Sequence, residues 1–99
     1  MAKIKVGVAG YGTIGQRLAD GVALQGDMEL VGIADLAPTL AIRALRENDM
    51  IGANNVKYNL YLVDGADKAQ FDQYDIPVAG TFEDLCRSVD IMLDSSPAA

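Results

Sequence analysis

Blocks of apolar and polar residues alternate along the chain in a way that predicts strands and helices in turn. Short apolar runs rich in β-formers predict four strands, at about 3–9, 28–34, 58–63 and 90–94. Apolar residues spaced three or four positions apart predict helices over about 14–25 and 38–49 and a last one after Thr81. A short helix over about 64–74 is predicted from Asp64 as its cap. Pro77 suggests a short extended piece over 76–79, which adds at most a minor edge strand.

The same spacing predicts which side chains of each helix face the core. In the first helix these are Ile14, Leu18 and Val22, and in the second Leu40, Ala44 and Leu45. The last helix has an apolar stripe of Phe82, Leu85, Cys86 and Val89. Asp64 and Thr81 are predicted to cap the two later helices, because their side-chain oxygens can accept N–H groups of a first turn. We expect Tyr58, Tyr61 and Tyr74 to be packing residues.

Strands separated by helices favour parallel neighbours with right-handed crossovers. The sequence therefore predicts an α/β fold in one domain over 1–99: an open parallel sheet of order 3-2-1-4, with helices on both faces. A complete sheet of this type continues past its fourth strand, so we expect a truncated version with an exposed edge at 90–94 and self-association through that edge.

A glycine motif follows the first strand directly. Residues 10–15 read Gly-Tyr-Gly-Thr-Ile-Gly, the pattern G-x-G-x-x-G, and they open an amphipathic helix. Gly10 permits the tight turn, Gly12 lets a pyrophosphate approach the backbone, and Gly15 lets the helix pack closely on the sheet. The free N–H groups of Thr13 and Ile14 then favour an anion. This context predicts a Rossmann-type dinucleotide-binding fold.

Polar residues follow two other strands at the same edge of the predicted sheet. Asp35 ends the second strand, where a carboxylate accepts ribose hydroxyls and repels a 2′-phosphate, so NAD is favoured over NADP. Ser95 and Ser96 follow the last strand, in the crevice where the strand order reverses. They are either contacts to the ribose or phosphate side of the cofactor or part of a flexible tail.

Composition excludes several other functions. The net charge is −6 and the basic residues are scattered singly, which argues against nucleic acid or an anionic membrane as a partner. One cysteine, the absence of a signal-peptide pattern and the absence of a long apolar run fit a cytoplasmic protein. The sequence has no histidine, and Cys86 is assigned to the core, so we predict no catalytic residue in these 99 residues. The acidic residues are expected to be caps or solvated faces rather than metal ligands.

Two segments carry a resemblance to a known family. They are KVGVAGYGTIGQRLADGVALQGDMELVGIAD near the start and IPVAGTFEDLCRSVDIMLDSSP near the end, with a looser match at YNLYLVD. Here the chain resembles the N-terminal half of the cofactor domain of archaeal-type glyceraldehyde-3-phosphate dehydrogenase. The resemblance is weakest over about 40–56.

The resemblance implies a tetrameric, cytoplasmic enzyme that oxidises glyceraldehyde 3-phosphate with phosphate and reduces NAD(P). It implies cofactor contacts at Thr13 and Ile14. Family members often have a lysine or another residue that tolerates a 2′-phosphate where this chain has Asp35, which argues against NADP use. The resemblance places the family's nucleophilic cysteine and its partner histidine beyond Ala99.

Two alternatives stay open at the level of sequence. The chain can be a stand-alone nucleotide-binding or sensing module without catalysis, as its length and lack of histidine suggest. It can also be part of another Rossmann oxidoreductase, such as a homoserine or dihydrodipicolinate type enzyme, that shares only the glycine loop.

Overall fold

A parallel sheet organises the part of the chain that the computed structural model describes, residues 3–40, 42–43 and 59–95. Its strands are β1 (Ile4–Ala9), β2 (Met28–Asp35), β3 (Asn59–Leu62), β4 (Gly80–Thr81) and β5 (Ile91–Asp94). The spatial order is β4-β3-β2-β1-β5, and every neighbouring pair is parallel. The predicted α/β fold with an open parallel sheet is therefore confirmed.

The strand order differs from the prediction by one element. The predicted order 3-2-1-4 is present as β3-β2-β1-β5, and β4 adds a two-residue edge beside β3. The extended piece expected over 76–79 thus forms ladder pairs only at Gly80 and Thr81. Its approach to the sheet begins one residue earlier, where the Ala79 N–H donates to the Leu60 carbonyl at 2.7 Å.

Three helices have described bounds: α1 (Thr13–Ala23), α2 (Lys68–Asp72) and α3 (Phe82–Ser88). Thr81 caps α3 as predicted, in a reciprocal capping box with Asp84. The predicted cap of α2 was wrong. Gly65 has a φ of 90°, outside helical backbone, so the helix starts after Asp67, which accepts the Ala69 N–H at 3.0 Å, rather than at Asp64.

A further helical stretch starts at Leu40, two residues later than the predicted start at Pro38. Leu40, Ile42 and Arg43 are helical, and the Thr39 hydroxyl accepts the Ile42 N–H at 3.4 Å. The side chain that turns inward is Ile42, whereas Leu40 is 73% exposed. The inward assignment of Leu40 was therefore wrong. Ala44 and Leu45, with the rest of this predicted helix and Tyr58, lie outside the described residues.

The core lies on both faces of the sheet. One cluster joins Val6, Val8 and Ile33 to side chains of α1, to Ile42 and to Phe71, and a smaller cluster packs Leu85 of α3 against the other face. Burying such aliphatic and aromatic side chains contributes about 1.5–3 kcal/mol each. The packing holds the carboxyl ends of β1, β2 and β5 side by side, and these ends carry the candidate site.

Three side chains expected in packed positions lie at the surface instead. Ile14 is 65% exposed at the start of α1, where it lines a cleft rather than the core. Tyr74 is 44% exposed and its ring stacks against the Arg43 guanidinium, 4.7 Å from the ring centroid. Cys86 is exposed because it lies about 100° around α3 from the buried Leu85, off the face that meets the sheet.

Candidate functional site

The turn between β1 and α1 is held by backbone geometry that glycine makes possible. Gly10 has a φ of 86°, in the left-handed region, and its N–H donates to the Ala34 carbonyl of β2 at 2.7 Å. The Tyr11 side chain that follows is buried in the core. The chain therefore leaves the sheet in a sharp turn that is tied to the neighbouring strand.

Gly15 allows the first turn of α1 to lie directly on this turn. A Cβ at Gly15 would stand 1.7 Å from the Gly10 carbonyl oxygen and 2.9 Å from the Ser95 hydroxyl. Such contacts are impossible for a real side chain, so only glycine permits the observed approach. The close helix packing expected for the third glycine of the motif is present.

Gly12 differs from Gly15 because it faces open space. Its φ of −87° is accessible to any residue, and nothing lies within 4 Å of a Cβ built on it. Its place as the N-cap of α1 leaves that helix without a side-chain cap, whereas Asp67 caps α2 and Thr81 caps α3. The first-turn N–H groups of α1, including those of Thr13 and Ile14, face a surface from which a ligand can approach.

The carboxylate of Asp35 lies beside the glycine loop. Its Oδ2 accepts the Tyr11 N–H at 2.9 Å and its Oδ1 accepts the Leu36 N–H at 2.7 Å. A carboxylate offers about four acceptor positions, so two positions remain for hydroxyl donors of a ligand. The side chain is half-buried, in keeping with a residue that both supports the loop and faces a cleft.

Ser95 lies on the other side of the loop, at the end of β5. Its Oγ is 2.8 Å from the Gly10 carbonyl oxygen and 3.0 Å from that of Ala9, and its N–H donates to Ala9 at 2.9 Å. The hydroxyl proton is thus directed at the backbone of the loop, and the oxygen lone pairs remain available to a ligand. Ser96 lies outside the described residues.

These residues surround a cleft of about 580 Å³, a volume within the range of small-molecule and cofactor sites. Of the eight residues expected to bind a cofactor, six line it: Gly10, Gly12, Thr13, Ile14, Asp35 and Ser95. Gly15 lies behind them, buried beneath the loop.

Sequence reasoning missed four lining residues, Tyr11, Gln16, Thr39 and Leu40. Thr39 and Leu40 carried a usable signal. They start the helix that follows β2, and helix starts in such sheets lie at the same edge as the strand ends that form the crevice. Leu40 was assigned to the core because it matched helical spacing, although spacing alone does not show which side of a first turn is covered.

Comparison with known proteins agrees with the geometry of the cleft. The chain is 43% identical over 95 residues to a glyceraldehyde-3-phosphate dehydrogenase of Pyrobaculum calidifontis, and 40% identical over 97 residues to that of Archaeoglobus fulgidus. It is 37% identical over 94 residues to that of Methanoregula boonei. This chain is similar to archaeal glyceraldehyde-3-phosphate dehydrogenases. The resemblance stated from the sequence is therefore confirmed.

The similarity to these dehydrogenases is nearly complete for this chain and partial for its relatives. The three alignments cover 95–98% of the chain but 25–26% of each relative. The chain thus spans about a quarter of the length of the curated relatives it matches. No model of a protein family matches it.

Among the described residues, no helix is long and apolar enough to cross a membrane.

Proposed function

We propose that this chain binds a nicotinamide adenine dinucleotide and serves as the dinucleotide-binding part of a glyceraldehyde-3-phosphate dehydrogenase. The observation that carries the proposal is the uncapped start of α1 over the open position of Gly12, with Asp35 across the cleft. The names of the similar archaeal proteins supply the reaction.

The pyrophosphate is proposed to lie against the start of α1. The N–H groups of Thr13 and Ile14 would donate to its oxygens, and the positive end of the helix dipole would stabilise its charge. Gly12 supports this position because it leaves room for a phosphate next to the backbone. Gly10 and Gly15 would act by shaping the loop rather than by contacting the ligand through side chains.

The adenosine ribose is proposed to lie against Asp35, whose free acceptor positions would receive its hydroxyls. The same charge would oppose the 2′-phosphate of NADP, so we propose NAD as the preferred cofactor. Ser95 lines the cleft and stays a predicted neighbour of the cofactor, and Ser96 stays a prediction from the sequence. When bound, the nicotinamide would supply hydride transfer.

The remaining expectations also stay predictions. They are a dinucleotide-binding domain over 1–99, a cytoplasmic location and assembly into a homo-oligomer. Aldehyde oxidation belongs to the proposal for the whole protein, since the similar dehydrogenases are about four times as long as this chain.

A pair of glycine variants tests the proposal. Gly12→Ala adds a methyl group in the path of the pyrophosphate, and we expect the Kd for NAD in titration calorimetry to rise about tenfold or more. Gly21→Ala is the matched control, because a Cβ at Gly21 in α1 also meets nothing within 4 Å. It should keep the parent affinity. Equal affinities of the parent and Gly12→Ala, or no binding by the parent, would disprove the assignment.

A further inference from the structure

The Gly10 carbonyl oxygen is the point at which three elements meet. Gly10 directly follows β1 in a left-handed turn, and the hydroxyl of Ser95, just after β5, lies 2.8 Å from its oxygen. The first turn of α1 rests on the same oxygen at Gly15. A movement of this peptide would therefore displace the start of the helix.

Ser95 supplies the side-chain donor at this point. Glycine adopts positive and negative φ angles about equally readily. The left-handed conformation of Gly10 therefore depends on its hydrogen-bond partners. On one side its N–H is bound to Ala34 of β2, and on the other its carbonyl accepts from Ser95. Because the Ser95 hydroxyl directs its proton at the backbone carbonyls of the loop, it stabilises the loop.

We propose that Ser95 is a positioning residue, which sets the start of α1 for pyrophosphate through the Gly10 carbonyl. This inference rests on the proposed dinucleotide binding and deepens it. Loss of the hydroxyl should leave the Gly10 carbonyl without a side-chain donor, loosen the turn and misalign the N–H groups of Thr13 and Ile14. Asp35 reaches the loop from the opposite side through Tyr11, so the adenosine half of the site should be spared.

The first measurement is made on the unliganded protein. Hydrogen exchange by NMR should be faster in Ser95→Ala at the amides of Gly10 and Gln16, which have hydrogen-bond partners in the loop region, and unchanged in α3. Ser88→Ala is the matched control, since the Ser88 hydroxyl also donates to a backbone carbonyl, that of Asp84, at 2.8 Å. It should leave exchange in the loop unchanged.

The second measurement separates the pyrophosphate from the adenosine. In Ser95→Ala the Kd for NAD should rise about three- to tenfold, the effect of one lost hydrogen bond, while the Kd for adenosine in an NMR titration stays at the parent value. The pair Ser95→Thr and Ser95→Val repeats the test at constant shape, since Thr keeps the hydroxyl and Val removes it. The Thr variant should bind NAD more tightly than the Val variant by the same factor.

The outcomes distinguish this inference from the proposed function. If the parent binds no NAD, the proposed function fails, and so does the role of Ser95 in positioning the loop for a cofactor. The exchange data on the unliganded protein then still show whether Ser95 orders the loop. If the parent binds NAD, the inference is overturned by unchanged loop exchange, by equal NAD affinities of the Thr and Val variants, or by an equal loss of adenosine and NAD affinity. Failure of Ser95→Ala to fold leaves the Thr and Val pair to decide.

Discussion

The carboxylate of Asp35 accepts the backbone N–H of Tyr11 at 2.9 Å, which joins the end of β2 to the glycine loop after β1. The residue proposed to select the cofactor is therefore also part of the support of the phosphate loop. A substitution there has two consequences, one for charge and one for loop geometry, and a test of specificity has to separate them.

Asp35→Asn removes the charge while keeping the shape and one acceptor oxygen. We expect the preference for NAD over NADP to fall about tenfold or more, because the carboxylate no longer opposes the 2′-phosphate in a partly desolvated site. Titration of both cofactors measures the ratio. Asp27→Asn makes the same change of net charge just before β2, at the opposite end of that strand from Asp35, and should leave the ratio unaltered. A parent chain that binds NADP at least as tightly as NAD would refute the specificity proposal.

Gly15→Ala should destabilise the fold rather than affect only the ligand. Its Cβ would overlap the Gly10 carbonyl oxygen, a backbone atom that moves only if α1 shifts away from the sheet. We expect a loss of about 1–3 kcal/mol in the free energy of unfolding, measured by urea denaturation. Gly21→Ala, in the interior of the same helix and in open space, should instead raise it by about 0.5–1 kcal/mol. Equal stabilities of the two variants would show that the helix does not pack on the turn as described.

The capping box of α3 predicts a dependence of stability on pH. The backbone N–H of Thr81, 2.9 Å from the Asp84 carboxylate, lowers the pKa of Asp84 below its ordinary value of 3.8, with further lowering by the Thr81 side chain and by Arg87. A depressed folded pKa means that this contribution is present above the unfolded pKa and is lost as pH falls through the folded one. Asp84→Asn should remove this part of the acid dependence below about pH 3.8, and NMR titration of the carboxyl carbon measures the pKa directly. A pKa at or above 3.8 would contradict the capping geometry.

The exposed side of β5 predicts self-association of the 99-residue chain. β5 is an edge of the sheet formed by the described residues, and Ile91 at its start is 43% exposed. Ile91→Lys should reduce association in sedimentation velocity runs by placing a charge on this edge. Ile91 is chosen rather than Met92 at the centre of β5, because Met92 packs against the cluster around Leu85 and a lysine there would disturb the fold.

Leu24→Lys is the control for the association experiment, since Leu24 is a similarly exposed apolar residue at the end of α1. A chain that stays monomeric at high concentration would rule the prediction out, and so would a dimer that is equally indifferent to both lysine variants.

The sequence by itself determined the alternation of strands and helices and the glycine loop that follows β1. It also determined which polar residues, Asp35 and Ser95, stand at the ends of β2 and β5. These features follow from local causes. Hydrophobic period distinguishes strand from helix, and Thr81 followed three residues later by Asp84 is a capping signal readable without any tertiary contact. The parallel order around β1 was also predictable, because right-handed crossovers leave few topologies for such a pattern.

Tertiary structure decided what each side chain faces. Helical spacing placed Ile14, Leu40 and Cys86 in the core, but all three are exposed, because a periodic pattern does not show where the opposing surface ends. It likewise decided that Ser95 bonds to Gly10 and Asp35 to Tyr11, contacts between residues 85 and 24 positions apart. Such contacts exist only once the sheet has brought the ends of β1, β2 and β5 together, which no local pattern in the chain encodes.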